Sequence, residues 1–139
     1  MTGDLSLPTG FGYGASMRFA EADGADGYLI QGYEPGAIRI AGQTYREGLI
    51  VTPRRLVPGW GPVAAAQLTP ADVEALLDFA PQVILLGTGE RQVFPAATLL
   101  TAAHKRRIGI EVMDTGAACR TYNILVGEGR DVVAGLMMM

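Results

Sequence analysis

Cysteine and histidine are almost missing from this chain of 139 residues: Cys119 and His104 are the single copies of each. One cysteine excludes an intrachain disulfide, which fits a reducing compartment. One histidine excludes a histidine-based metal cage within one subunit, and no cofactor is expected. Charge is sparse too. Charged residues make up 18% of the chain, below the usual quarter. The net charge of −3 lacks the basic footprint that broad nucleic-acid binding needs, so nucleic acid is not an expected partner. No apolar run approaches the roughly 20 residues of a transmembrane segment. The opening MTGDLSLPTGFGYG has neither a charged segment followed by an apolar one nor an arginine-rich presequence. The expectation is a cytoplasmic chain without a leader.

What is present is apolar. Hydrophobic residues reach 49% and the mean hydropathy is +0.23. A chain of this length buries one real core. The excess of apolar surface implies either an efficient core or a face that meets a partner. Basic residues gather at Arg54-Arg55 and Lys105-Arg106-Arg107, where solvated element ends are the simplest reading.

Residues 1–27 show no period and are expected to form an irregular arm, with Phe11, Tyr13, Met17 and Phe19 packing singly. From residue 28 to 139 we expect a single α/β domain. YLIQGY, AIRI and EGLIVT are short β-rich runs separated by Glu34-Pro35-Gly36 and Ala41-Gly42-Gln43, and they predict an antiparallel meander. Residues 53–62 hold three prolines and two glycines and must form a structured connection. Trp60 in this segment either packs on the core or serves as a surface anchor.

Helix and strand then alternate. Thr69-Pro70-Ala71-Asp72 is a helix start, with Thr as N-cap, Pro at the first position and an acid in the first turn. Val73, Leu76, Leu77 and Ala80 form one stripe. The run 83–86 is wholly apolar, as in a central strand covered on both faces. A second helix is expected over 95–107, stopped by Gly109. A strand over 110–113 follows. Thr115 is then expected to cap a third helix with Ala118, Thr121, Tyr122 and Leu125 inward, ended by Gly127 or Gly129. A last strand runs over 132–136. This order predicts α/β architecture in three layers, with a mixed, mostly parallel central sheet and an N-terminal antiparallel β meander.

Ligands of such sheets bind beyond the carboxyl ends of the strands. Two such ends stand out. One is Gly87-Thr88-Gly89. The other is Asp114-Thr115-Gly116, which opens the helix carrying Arg120 and Asn123. The helix start offers free N–H groups to an anion, and Arg120 offers a bidentate contact. The candidate ligand or partner site is therefore Gly87, Thr88, Gly89, Thr115, Gly116, Arg120 and Asn123. Gly87-Thr88-Gly89 is no complete nucleotide motif, and a tight strand-to-loop turn is its simplest reading. Thr121, Tyr122, Glu128 and Arg130 read as a brace between helix and sheet. Asn123 is unfavourable in mid-helix, so its amide is expected to have a local task. Cys119 lacks a neighbouring base, since the single histidine sits on another helix, and reads as a buried inert thiol. No catalytic residue is assigned, and the balance leans away from an enzyme.

The run Glu111-Val112-Met113, Thr115, then Ala118 to Asn123 and Leu125, then Glu128, Arg130, Val132 and Ala134, resembles a small family. So do the strand ending at Gly89, Gly109-Ile110 and residues 58–60. It is the domain-of-unknown-function family typified by the mitochondrial complex I assembly factor 3, with an adipogenesis-associated human relative and many bacterial members. The resemblance covers about residues 27–136. It implies a compact three-layer α/β domain with no established enzymatic activity and no catalytic residue to carry over. Mitochondrial members act as assembly factors for respiratory complex I at the inner membrane. Bacterial members are often encoded near protein-export components. The resemblance implies an accessory protein that binds a protein partner, cytoplasmic or peripheral to the inner membrane. The alternative from the residues is a domain, with or without a reaction, that binds an anionic ligand at 87–89 and 115–120. The oligomeric state stays open.

Overall fold

The computed structural model describes residues 27–139. The expected arm, with Phe11, Tyr13, Met17 and Phe19, lies outside the described residues except for Gly27. Eight strands and three helices follow in the described part: β1 Ile30–Glu34, β2 Ala37–Ile40, β3 Gln43–Tyr45, β4 Leu49–Val51, β5 Leu56–Pro58, α1 Pro70–Leu77, β6 Val83–Thr88, α2 Ala97–Lys105, β7 Gly109–Met113, α3 Thr115–Gly127 and β8 Val132–Met137. A short 3-10 turn, Ala65–Gln67, precedes α1.

The strands form two sheets. β1, β2 and β3 make a small antiparallel sheet. The turn between β2 and β3 is Ala41-Gly42, with φ of 53° and 79°, the two positive angles of a tight hairpin. The second sheet has the order β5-β4-β8-β6-β7. Here the meander expectation needs correcting. The run containing β4 leaves the small sheet and pairs antiparallel with β8 and β5. The third strand of the meander is Gln43–Tyr45, part of which reads as turn in the sequence. Nor is the large sheet mostly parallel. β6 pairs in parallel with β7 and β8, while both pairings of β4 are antiparallel.

Side chains alternate across this sheet and sort into two cores. Leu49, Val51, Val83, Leu85, Val132, Ala134 and Leu136 meet α3 and the small sheet on one face. Ile50, Ile84, Leu86, Val133 and Met137 meet Trp60, α1 and α2 on the other. All six residues of β6 and of β8 are buried, as the continuous apolar runs require. Each fully buried Leu, Ile or Val side chain contributes about 1.5–3 kcal/mol.

The helix ends follow local rules with two exceptions. Thr69 caps α1, and its capping box with Asp72 is complete, as the sequence predicts. The helix stops before Ala80, which has φ 51° and is exposed, so Ala80 is not part of the stripe. α2 is shorter than expected, and Gly109 does not stop it. Arg107 takes the left-handed position at φ 58°. Its N–H donates to His104 O at 3.0 Å, and Ile108 N–H donates to Ala103 O at 2.9 Å, the pair of bonds that closes a helix end. Gly109 is already strand. Gly129 plays the usual glycine part after α3, with φ 77°.

Candidate functional site

The carboxyl ends of β6, β7 and β8 lie side by side, because all three strands run in parallel. Thr88, the last residue of β6, is buried and organises the loop beyond it. Its hydroxyl donates to Arg91 O at 2.6 Å and accepts from Val93 N–H at 2.9 Å. Gln92 Nε2 donates to Val112 O at 2.9 Å and ties the same loop to β7. The loop is thereby held in one shape, and it presents Val93 and Phe94 to solvent, Phe94 at 68% exposure. β5 ends at this same edge, since Pro58 pairs with Leu49 and Leu49 with Leu136. Val63, a few residues further on, is 94% exposed.

Thr115 departs from its expected role. The N-cap of α3 is Asp114, whose Oδ1 accepts from Ala117 N–H at 2.8 Å. Thr115 is the first helical residue, and its fully buried hydroxyl joins three elements. It accepts from Gly89 N–H at 2.8 Å and donates to Met137 O at 2.6 Å. Its own N–H donates to Gly89 O at 2.8 Å. The ends of β6 and β8 and the start of α3 are thus locked together. Gly87 permits this approach: a Cβ there would stand 3.0 Å from Thr115 Cα and Oγ1. Gly89 sits at φ 97°, where side chains are disfavoured.

This arrangement leaves little for an anion. Of the leading N–H groups of α3, Thr115 and Ala117 are already bonded, and the Asp114 carboxylate occupies the positive end of the helix. Gly116 is buried under Tyr33, and a Cβ there would lie 3.0 Å from the ring. Arg120 is exposed, donates to the Tyr33 hydroxyl and stands 6.0 Å from the ring centroid. Of the expected site residues, Gly89 and Thr115 bond each other directly and Gly87 lies against Thr115, while Thr88, Arg120 and Asn123 are each held by residues outside the set.

Asn123 sits further along α3 with its amide fully committed. Ile30 N–H donates to Oδ1 and Nδ2 donates to Ile30 O, each at 2.8 Å. Tyr122 is buried, and its hydroxyl donates to Tyr28 O at 2.8 Å. Burial raises its pKa above the ordinary phenol value. The inward face of α3 is Thr115, Ala118, Cys119, Tyr122 and Val126, so the expected stripe through Thr121 and Leu125 is rotated; both are only half-buried. Glu128 and Arg130 have exposed side chains. Their backbones close the helix instead, with Arg130 N–H donating to Leu125 O at 2.9 Å. Trp60 is buried, its Nε1 donates to Asp72 O at 3.0 Å, and its ring fills the notch over Gly135. Packing is the Trp60 role, not that of a surface anchor.

Cys119 is fully buried, and loss of solvation pushes its thiol up to about 12, with Arg120 lowering and Asp114 raising it to a lesser extent. His104 is exposed on α2, across the sheet from α3. The two form no pair. Among the described residues no group of His, Cys, Asp and Glu can hold a metal ion. Sequence reasoning missed Tyr33 as part of this edge and gave the cap role of Asp114 to Thr115. Asp114 carried a readable signal, being a preferred cap residue directly before a helix. Tyr33 carried none.

With the geometry in view, likeness to known proteins decides the family. A family model described as "Protein of unknown function (DUF498/DUF598)" matches residues 30–137. The chain belongs to the DUF498/DUF598 family. One relative of this DUF498/DUF598 member is the NADH dehydrogenase [ubiquinone] 1 alpha subcomplex assembly factor 3 of Danio rerio, 30% identical over 124 residues, 88% of this chain and 71% of that protein. Another is the "13 kDa major membrane protein" of Francisella tularensis, 37% identical over 60 residues, 43% of this chain. That alignment spans about half, 49%, of the Francisella protein. A crystal structure from Bordetella parapertussis superposes with a TM-score of 0.76 at 32% identity, over 81% of this chain and 96% of that one. The family read from the 111–134 run is the family that the comparisons return.

Proposed function

We propose that this protein is a non-catalytic accessory factor that binds a protein partner during assembly of the respiratory NADH dehydrogenase. The observation that carries the reading is the 30% identity to an assembly factor across 88% of the chain. The geometry supports it. One buried cluster joins the large sheet to α3 and the small sheet and the other joins it to α1 and α2, which supports reading 28–139 as a single domain in three layers. The polar groups at the strand ends are spent on holding shape, which suits a docking surface better than a reacting site.

The proposed docking edge consists of the 87–94 turn and loop with the start of α3. Gly87, Thr88, Gly89, Thr115 and Gly116 set its form, Asn123 anchors the helix, and Val93, Phe94 and Arg120 face the partner. No helix among the described residues is long and apolar enough to cross a membrane. We place the protein on the cytoplasmic side, peripheral to the inner membrane, in keeping with the membrane protein among its relatives. Affinity purification from the native host tests this. NADH dehydrogenase subunits or their assembly intermediates should co-purify with the tagged protein. Recovery of none of them would refute the reading.

A further inference from the structure

Among the described residues the two sheets end in four edge strands, and three of these are short or covered. β3 and β5 have three residues each, and β5 ends in Pro58, which has no N–H to offer. β1 is covered where it begins, because Asn123 holds both Ile30 N–H and Ile30 O. β7 differs. It is five residues long, Gly109–Met113, with no Pro and a single charged residue, Glu111, so it is only lightly blunted as an edge.

The backbone of β7 points open groups outward. Gly109 N–H faces β6, donating to Gln82 O at 3.4 Å. Strand backbones alternate, so Gly109, Glu111 and Met113 turn to β6 while Ile110 and Val112 turn away. The bond from Gln92 Nε2 to Val112 O shows the outward direction independently. Among the described residues, Ile110 N–H, Ile110 O and Val112 N–H meet no other element. Glu111, at the centre of the strand, is exposed.

We infer that the β7 edge receives an added strand from the partner protein, an extended apolar segment carrying Lys or Arg opposite Glu111. This deepens the partner-binding reading above and rests on it. Main-chain bonds to Ile110 N–H, Ile110 O and Val112 N–H supply the attachment, with Val112 O already held by Gln92, as in other strand-addition complexes. Glu111 supplies the choice of occupant. A second copy pairing antiparallel over all five residues would set Glu111 against Glu111 in the closer, non-hydrogen-bonded spacing. Like charges directly opposite oppose that pairing, and a cation opposite favours it. The Gln92 bond also makes the edge continuous with the loop bearing Val93 and Phe94, so a strand along β7 runs onto that apolar loop.

The test uses the complex purified from the native host, with wild-type protein and Glu111→Lys. Thermal unfolding should be unchanged by Glu111→Lys, because the side chain is exposed. In the wild-type complex, amide exchange at Ile110 and Val112 should slow at least tenfold relative to the free protein. Glu111→Lys should lower partner recovery at least tenfold. Replacing by Glu the partner's Lys or Arg that cross-linking of the complex places opposite position 111 should restore it. A complex in which these amides exchange as before, or in which Glu111→Lys binds fully, overturns the inference while leaving the partner-binding reading intact. Protection of the same amides in a homodimer overturns the choice of occupant. Absence of any co-purifying protein overturns both.

Discussion

Asn123 grips Ile30 by both ends of its amide, accepting from Ile30 N–H and donating to Ile30 O at 2.8 Å each. A side chain in mid-helix thereby serves β1 as a neighbouring strand would. It satisfies backbone groups that would otherwise be left without partners beside a buried residue.

Removing that amide should therefore cost more than its volume suggests. Asn123→Ala strands one donor and one acceptor, and the expected loss is about 2–6 kcal/mol at 1–3 kcal/mol per unsatisfied group. Asn123→Asp keeps the acceptor for Ile30 N–H but sets a carboxylate oxygen against Ile30 O, so it should be destabilising as well. Guanidinium unfolding measures both. A loss below about 0.5 kcal/mol for Asn123→Ala, the scale of an ordinary surface change, would contradict the bonding role.

Thr115 offers a sharper comparison. Thr115→Val keeps the shape and deletes the hydroxyl, leaving Gly89 N–H and Met137 O unsatisfied. The expected cost is about 2–4 kcal/mol. Thr115→Ser keeps both bonds and loses one methyl, for about 1 kcal/mol. If Val were tolerated better than Ser in chemical denaturation, the position would be a packing site only.

Arg107 is a place where the protein gains from a substitution. It occupies the left-handed conformation at φ 58°, which costs a residue with a Cβ roughly 1–2 kcal/mol. Arg107→Gly relieves that and gives back part of it through the freer unfolded chain. The net expectation is a stabilisation of about 0.5–1 kcal/mol, seen as a higher melting temperature.

Cys119 makes stability depend on alkaline pH. Its folded pKa lies near 12 against an ordinary 9.0. Above pH 9 the unfolded chain loses the thiol proton while the folded one keeps it, so the folded state binds more protons and stability falls as pH rises. The contribution is fully present below pH 9 and declines by up to about 1.4 kcal/mol per unit toward pH 12. Cys119→Ala should lose stability less steeply between pH 9 and 10 than the parent. Equal slopes would place the thiol in contact with water.

Local signals in this sequence were legible, and pairing across distance was not. The Thr69-Pro70-Asp72 start reads correctly because a cap is decided within four residues. The burial of β6 reads correctly because a fully covered strand has no polar alternation. Nothing within EGLIVT says which sheet will receive it, and its neighbour β8 lies at the far end of the chain. Thr115 misleads because Asp114 beside it is an equally good cap. Arg107 escapes notice because a left-handed arginine leaves no mark, while Gly109 two residues on invites the wrong choice. At the candidate site, the odd placement of Asn123 in a helix flagged a task. Its partner, Ile30, is 93 positions away and could be named only from the fold.

The assembly role is tested most directly by deleting the gene in the native host and resolving membrane complexes on native gels with an in-gel NADH dehydrogenase stain. The fully assembled enzyme should fall severalfold, smaller intermediates should accumulate, and a plasmid copy should restore the pattern. An unchanged amount of assembled enzyme in the deletion strain would contradict the proposed function.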